Sequence, residues 1–480
     1  MLKRVYYIIT LAVICLCAIF LPKIPVKTQA KGELYINIEN KPIYLSPVLA
    51  KTQDEKKIIS CLYEGLFKID IDGKTIGSQA KSYSVSDDFL TYKINLRGTT
   101  WSDGSDLTSY DFQSSWLYAL TNLGKEKEEF FIIKNAKEYS EGLVNKEDVG
   151  ILCPDSLTII VTLNEPDPSF IEKLSRPVFM PQKGNLTNGP YVIKNITSDG
   201  VFLEKNPYYW DKSSISIYSL NFVLSGKFKE INPQTFIFDG EGGEFDGAQK
   251  RCYDTGEVSY VIFNSQKLNK EKRLYLQNKI QNLKEILADE FFIQNGFVND
   301  LATGKKAFYR IEHEAGFEYE SAKEAQFNPL NLIYEKDNET PFLNILKTHF
   351  EKEGILINLT PLTQKEFAQR EEAGDFDLAY KVFAFSVGTP YEQLAVFKSG
   401  NPYQYKNKNF DTLLNQALHS KREDLFDILY DAEVELVKNP PAVAVLNFKK
   451  PYYTSPDLKN VLRLGYGAQN LDLYFAKIKN

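Results

Sequence analysis

TYKINLRGTTWSDGSDLTSYDFQSSW, residues 91–116, opens as a strand and closes as a helix. Tyr92, Ile94 and Leu96 alternate with more polar neighbours, the period of a half-buried strand. A Ser or Thr then caps a helix that carries Phe112, Trp116 and Leu120 on one stripe. Between them Gly98, Trp101, Asp103 and Gly104 make a turn. Local chemistry alone reads this as a strand-turn-helix junction. Trp101 packs under the turn, Gly104 supplies its geometry and Asp111 helps start the helix. The alternative is a scaffold built around a ligand.

The same two periods recur outward from this junction. GELYINIENKP places Leu34, Ile36 and Ile38 on one strand face, and EKKIISCLYEGLFKIDIDGK reads as a helix, a turn and a short strand. SLTIIVTLN, YVIKNIT, GVFLEKN, LNFVLS, TFIFDG and GEVSYVIFNSQ read as further strands, separated by Pro-, Gly- and Asn-rich turns. Residues 268–330 are charged and mostly helical in pattern. From residue 329 strands alternate with helices, closed by Gly354 and Gly374, which predicts parallel pairing through crossover helices. PAVAVLNFKKPYYTSP is a late, Pro-bounded strand.

A chain of 480 residues exceeds what one core supports, so two or three domains are expected. The net charge of −6 and the lack of a basic stripe argue against nucleic-acid binding. Lys3 and Arg4 precede an apolar run from Val5 to Leu21 and then TQA, which reads as a signal peptide over 1–30. An uncleaved membrane anchor and a lipid anchor are the alternatives, and each gives an exported chain. Cys61, Cys153 and Cys252 remain beyond the leader, enough for one disulfide and without CxxC spacing.

Enzyme motifs are scarce: GxSxG, the phosphate loop and HExxH are all missing. GEGGEFDG at 240–247 is acidic and lacks EF-hand spacing, so it reads as a turn and no metal site is expected. His313, between Glu312 and Glu314, reads as a solvated helix position. Neither an enzymatic activity nor a cofactor is expected. The aromatic-polar turns are better site material, since main-chain groups hold peptide backbones and aromatic pockets accept varied side chains.

With LYEGLFKIDIDGK (62–74), the segment 84–116, NGPYVIKN (188–195) and EKNPYYWD (204–211) in this order, the chain resembles a known family. These stretches, and distal ones such as VIFNSQK and AVAVLNFKKPYY, are similar to the extracytoplasmic solute-binding proteins of the oligopeptide/dipeptide/nickel class. Trp101, Asp103, Gly104, Asp111, Tyr191 and Trp210 carry its scaffold motifs.

The resemblance implies an α/β, type II periplasmic-binding-protein fold, with two lobes joined by crossing segments and an extra inserted α+β domain. Mapped here, lobe I is 31–44, 171–254 and 456–480, the inserted domain 45–170, and lobe II 255–455. The implied function is the peptide-binding subunit of an ABC importer, located in the periplasm or on the outer face of the cytoplasmic membrane. It would be a monomer delivering oligopeptides to permease subunits that work with cytoplasmic ATPases. Expected ligand-binding residues are Asn40, Phe383, Phe385, Ser386, Tyr391 and Tyr403.

One departure stands out. In the oligopeptide-binding branch an aspartate pairs with the peptide's amino group, and alignment on Pro390 puts Ser386 there and Phe383 at a tryptophan position. Serine cannot supply that charge. The departure implies a ligand anchored elsewhere, weak binding, or an amine that is blocked or absent, as in cell-wall peptides. The alternative function is a degenerate member acting as an envelope interaction or adhesion protein.

Overall fold

The computed structural model describes residues 32–70, 74–242, 245–288, 290–294, 296–298, 325–385, 390–420, 422–464 and 470–479. The leader, the Asp72–Gly73 turn, His313 and Ser386 lie outside the described residues.

Alternation puts Leu34, Ile36 and Ile38 fully inside, and β1 (Glu33–Ile38) is accordingly a central strand. It leads to α1 (Gln53–Leu62), which opens on a capping box between Thr52 and Glu55. The inserted domain follows. Its antiparallel sheet runs β2 (Ala80–Val85), β3 (Thr91–Leu96), β5 (Thr158–Thr162), β4 (Ile151–Asp155) in space. α2 (Ser109–Asn122) begins on a Thr108–Asp111 capping box and buries Phe112, Trp116 and Leu120.

The chain then returns to the main sheet through β6 (Tyr191–Ile196), β7 (Gly200–Lys205), β8 (Ser219–Leu224) and β9 (Phe236–Asp239). The long β10 (Gln249–Phe263) crosses into the second lobe. There, α3 (Lys270–Leu287) precedes alternating elements: β11 (Leu330–Glu335), α4 (Pro341–Lys352), β12 (Ile357–Leu362), α5 (Gln364–Ala373) and β13 (Leu378–Ala384). Three helices follow, α6 (Pro390–Ala395), α7 (Lys408–Leu418) and α8 (Arg422–Lys438), and β14 (Ala442–Thr454) recrosses.

All ten strands of the main sheet form one layer in the order β6-β7-β8-β1-β9-β14-β10-β13-β11-β12. β1 is parallel to β8 and β9, and β11 is parallel to β12 and β13, whereas β10 and β14 pair antiparallel along most of their length. Lobe I and the inserted domain share one apolar core, from Leu34 through Trp116 to Leu473. Lobe II has two cores, one on each face of its sheet. The inserted domain is therefore packed as part of lobe I, and β10 and β14 carry the main-sheet connection between the lobes.

Cys61, Cys153 and Cys252 are free thiols, and burial pushes the Cys61 thiol up. Among the described residues no helix is long and apolar enough to cross a membrane.

Candidate functional site

The registers place the carboxyl ends of the two parallel strand sets face to face. β9 runs toward lobe II and ends at Asp239, opposite Tyr452 of β14. β13 runs toward lobe I; its Phe383 pairs with Val258, which is opposite Asn447 of β14. Five residues of β14 separate those levels, roughly 17 Å at about 3.3 Å per residue. Open α/β sheets bind ligands outside the carboxyl ends of their strands. Here two such ends bound one interlobe space.

On the lobe I side, Asn37 fixes the strand ends. Its Nδ2 donates to Ser225 Oγ (3.1 Å) and the Asp239 carbonyl (3.0 Å), while the Asp239 N–H donates to Asn37 Oδ1 at 2.6 Å. Lys57 lies buried between Asp54 (3.2 Å) and Asp239 (2.6 Å). The other Asp54 oxygen accepts the Glu39 and Asn40 N–H groups at 2.9 and 3.1 Å. Asn40 is thus held through its backbone, with its side chain exposed.

Glu55, 1% exposed, organises the adjoining loop. It accepts N–H groups of Ile43 (2.9 Å), Tyr44 (2.8 Å), Lys51 (2.8 Å) and Thr52 (3.0 Å). Burial works to raise its carboxyl, but these bonds outweigh it and bring the pKa down to about 2. The loop they hold presents Ile43 at 78% exposure, beyond the carboxyl end of β1.

On the lobe II side, β13 outruns its neighbour. Its pairing with β11 covers Leu378 to Tyr380, yet the strand continues to Ala384 along β10. The Phe385 N–H donates to Gly256 of β10 at 3.2 Å, so by alternation the backbone groups of Val382 and Ala384 turn to the opposite side, past the end of the β11 pairing. Ala384 is exposed and Val382 half-buried. This is a short open strand edge.

Phe383 is half-buried, edge-on to Tyr260 (5.5 Å) and stacked on buried Phe385 (5.8 Å). Tyr403 is 2% exposed, inside the lobe II core, and burial followed by the Glu371 charge pushes its hydroxyl up. Lys381 pairs with both Glu371 oxygens at 2.7 and 2.8 Å, with its ammonium 5.3 Å from the Phe383 ring centre. Tyr391, in the first turn of α6, has its hydroxyl pushed up to about 12, first by burial and then by Glu165 and Asp167 of the opposite body. Asn40, Phe383 and Phe385 thus lie near the facing strand ends, Tyr391 lies at an interdomain contact, and Tyr403 is internal. Ser386 lies outside the described residues.

The six scaffold residues do a different job. Trp101 and Tyr191 are fully buried, and the Tyr191 hydroxyl donates to the Ile217 carbonyl at 3.1 Å. Asp103 accepts from Ser105 N–H and Oγ at 2.9 and 2.7 Å, closing its turn, and those bonds lower its carboxyl. Gly104 takes φ +86°, with its missing Cβ 3.1 Å from Tyr208. Asp111 accepts the Thr108 N–H at 2.7 Å.

Sequence reasoning missed the residue on which three motifs meet, buried Glu64 of LYEGL. Its side chain accepts from the Tyr209 hydroxyl, Trp210 Nε1 and Gln79 Nε2, each at 2.7 Å, and pairs with Lys68 at 3.3 Å. Its main-chain N–H and C=O bond the Asn188 side chain at 3.1 and 2.8 Å. A Cβ on Gly189 would stand 2.6 Å from the Leu62 carbonyl carbon, so NGPY requires glycine for this approach. An acid inside a helix-ending motif followed by distant Tyr-Trp was the available signal.

The described residues hold no group of three or more His, Cys, Asp or Glu placed to bind a metal. The arrangement offers unpaired strand-edge backbone groups, an aromatic side chain at Phe383 and a space bounded by the facing strand ends of two lobes. The profile of the bacterial extracellular solute-binding proteins, family 5 (middle region), matches residues 74–228. The oligopeptide-binding protein OppA of Bacillus subtilis is 30% identical, with 94% of this chain and 93% of that protein covered. The chain belongs to this family of solute-binding proteins.

Its fold is the type II periplasmic-binding-protein fold of solved relatives. The murein tripeptide-binding protein MppA in its unliganded open form matches at 20% identity and TM-score 0.81, covering 94% of this chain and 98% of that one. The Haemophilus influenzae OppA complex with RPPGFSPFR matches at 18% identity and TM-score 0.59, covering 94% and 99%.

Proposed function

We propose that this chain is the extracytoplasmic peptide-binding subunit of an ABC importer, and that it captures a peptide or peptide-like ligand between its lobes. The carrying observation is the open edge of β13 at Val382 and Ala384, set at the meeting of the two strand-end sets. An extended peptide adds to such an edge through main-chain bonds, and pockets between alternate side chains then set its preference. Phe383 and the loop at Asn40–Tyr44 are the walls. The higher TM-score against an unliganded open form than against a peptide complex supports an open, receptive arrangement.

Lobe I comprises 31–44, 171–254 and 456–480, the inserted domain 45–170 and lobe II 255–455, with β10 and β14 as the hinge. The closed form docks on permease subunits in the membrane. Ser386 at the place of the branch's aspartate favours a ligand whose amine is blocked or anchored elsewhere.

Native mass spectrometry of protein purified from its own cell envelope tests this reading. A co-purifying peptide-sized mass, released on denaturation, is expected. Finding none, together with no thermal shift in a library of free and amine-blocked peptides, would sink it.

A further inference from the structure

α6 of lobe II does not end in solvent. Its first turn reaches across to lobe I, where Arg176 is clamped between two carboxylates, one from the inserted domain and one from α6. Arg176 Nη1 donates to Glu129 of the inserted domain at 2.7 Å, and Nη2 donates to Glu392 of α6 at 2.8 Å. The Arg176 side chain is only 11% exposed. Lys173 flanks the clamp, 2.8 Å from Asp167 and 3.8 Å from Glu392. Tyr391, beside Glu392, is half-buried, with the charges of Glu165 and Asp167 close enough to act on its hydroxyl.

The backbone route between the same bodies is deformable. The β10–β14 register shifts between Asp254 and Val258. Side chains close the ladder there: Thr255 Oγ1 donates to the Phe448 carbonyl at 2.9 Å, and Asn447 Nδ2 donates to Asp254 at 2.5 Å. Rotation about this bulge swings α6 relative to Arg176, which moves with the lobe I core. The interlobe half of the clamp is one charge-assisted hydrogen bond, Nη2 to Glu392, and its short, directional geometry tolerates little sliding.

We infer that the Arg176–Glu392 contact is a latch that holds the ligand-free chain open. The inference rests on the closing cleft proposed above. A contact made in one state and broken in the other biases their populations, and apparent ligand affinity falls with the fraction able to close. Ligand capture thus works against a built-in restraint, so that empty protein stays open and closure reports occupancy.

Single-molecule energy transfer tests this without any ligand. Dyes at Ile43→Cys and Asp337→Cys, beyond the carboxyl ends of β1 and β11, report the span, with Cys153 and Cys252 changed to serine. Glu392→Gln leaves Arg176 paired with Glu129 and is expected to raise the closed fraction about tenfold. Arg176→Gln should shift it in the same direction, and the double variant should add little. An unchanged or wider span in Glu392→Gln, with the melting temperature retained, overturns the latch. Because no peptide is present, that result would leave the proposed ligand class standing, and a chain that binds no peptide can still show the shift.

Discussion

Glu55 and Glu64 show how single buried carboxylates shape this chain. Each is an acid that composition alone would assign to the surface, and each is instead saturated with donors. For Glu55 the consequence is measurable. Its folded pKa, about 2, lies below the ordinary 4.5, so its contribution is complete above pH ~4.5 and disappears as pH falls toward 2. The shift corresponds to roughly 3 kcal/mol at neutral pH. Denaturant titrations should therefore show the wild type losing stability relative to Glu55→Gln across that window. Parallel curves would contradict the assignment. The Thr52–Glu55 capping box was a readable local pattern. The bonds to Ile43 and Tyr44 were not, because they depend on how a loop folds back.

At the scale of elements, periodicity carried most of the reading. Alternation located β1, β3 and β5, and glycine at 354 and 374 marked the ends of α4 and α5. β10 begins earlier than its apolar portion suggests, because Gln249–Asp254 is mostly polar and is held by pairing with β14, with Tyr253 alone of its side chains reaching the lobe I core. The open edge of β13 was hidden as well, since a register is a long-range property that sequence spacing does not encode. That edge makes a specific demand. Ala384→Pro removes the N–H turned toward the cleft and leaves the groups of Phe383 and Phe385 that face β10. Peptide affinity should fall about tenfold by calorimetry, the worth of one main-chain hydrogen bond. Unchanged affinity would place the ligand elsewhere.

For the whole molecule, family and fold were legible because the motifs that name the family are those that build it. LYEGL, NGPY and NPYYW converge on Glu64, and WSDG packs on Tyr208 beside them. The stretch at 91–116 is thus part of the fastening between inserted domain and lobe I. The proposed site was less legible. Asn40, Phe383 and Ala384 have no local signature, and they come to the facing strand ends only through the antiparallel crossing of β10 and β14. Tyr403 looked like site material from its turn-rich setting, yet its ring fills a lobe II core.

Amide hydrogen exchange over 378–385, with and without a saturating peptide pool, tests the central claim most directly. Capture on the β13 edge predicts that the Val382 and Ala384 amides become strongly protected while Ala379, already within the sheet, changes little. A bound peptide that leaves those two amides exchanging at the ligand-free rate would contradict it.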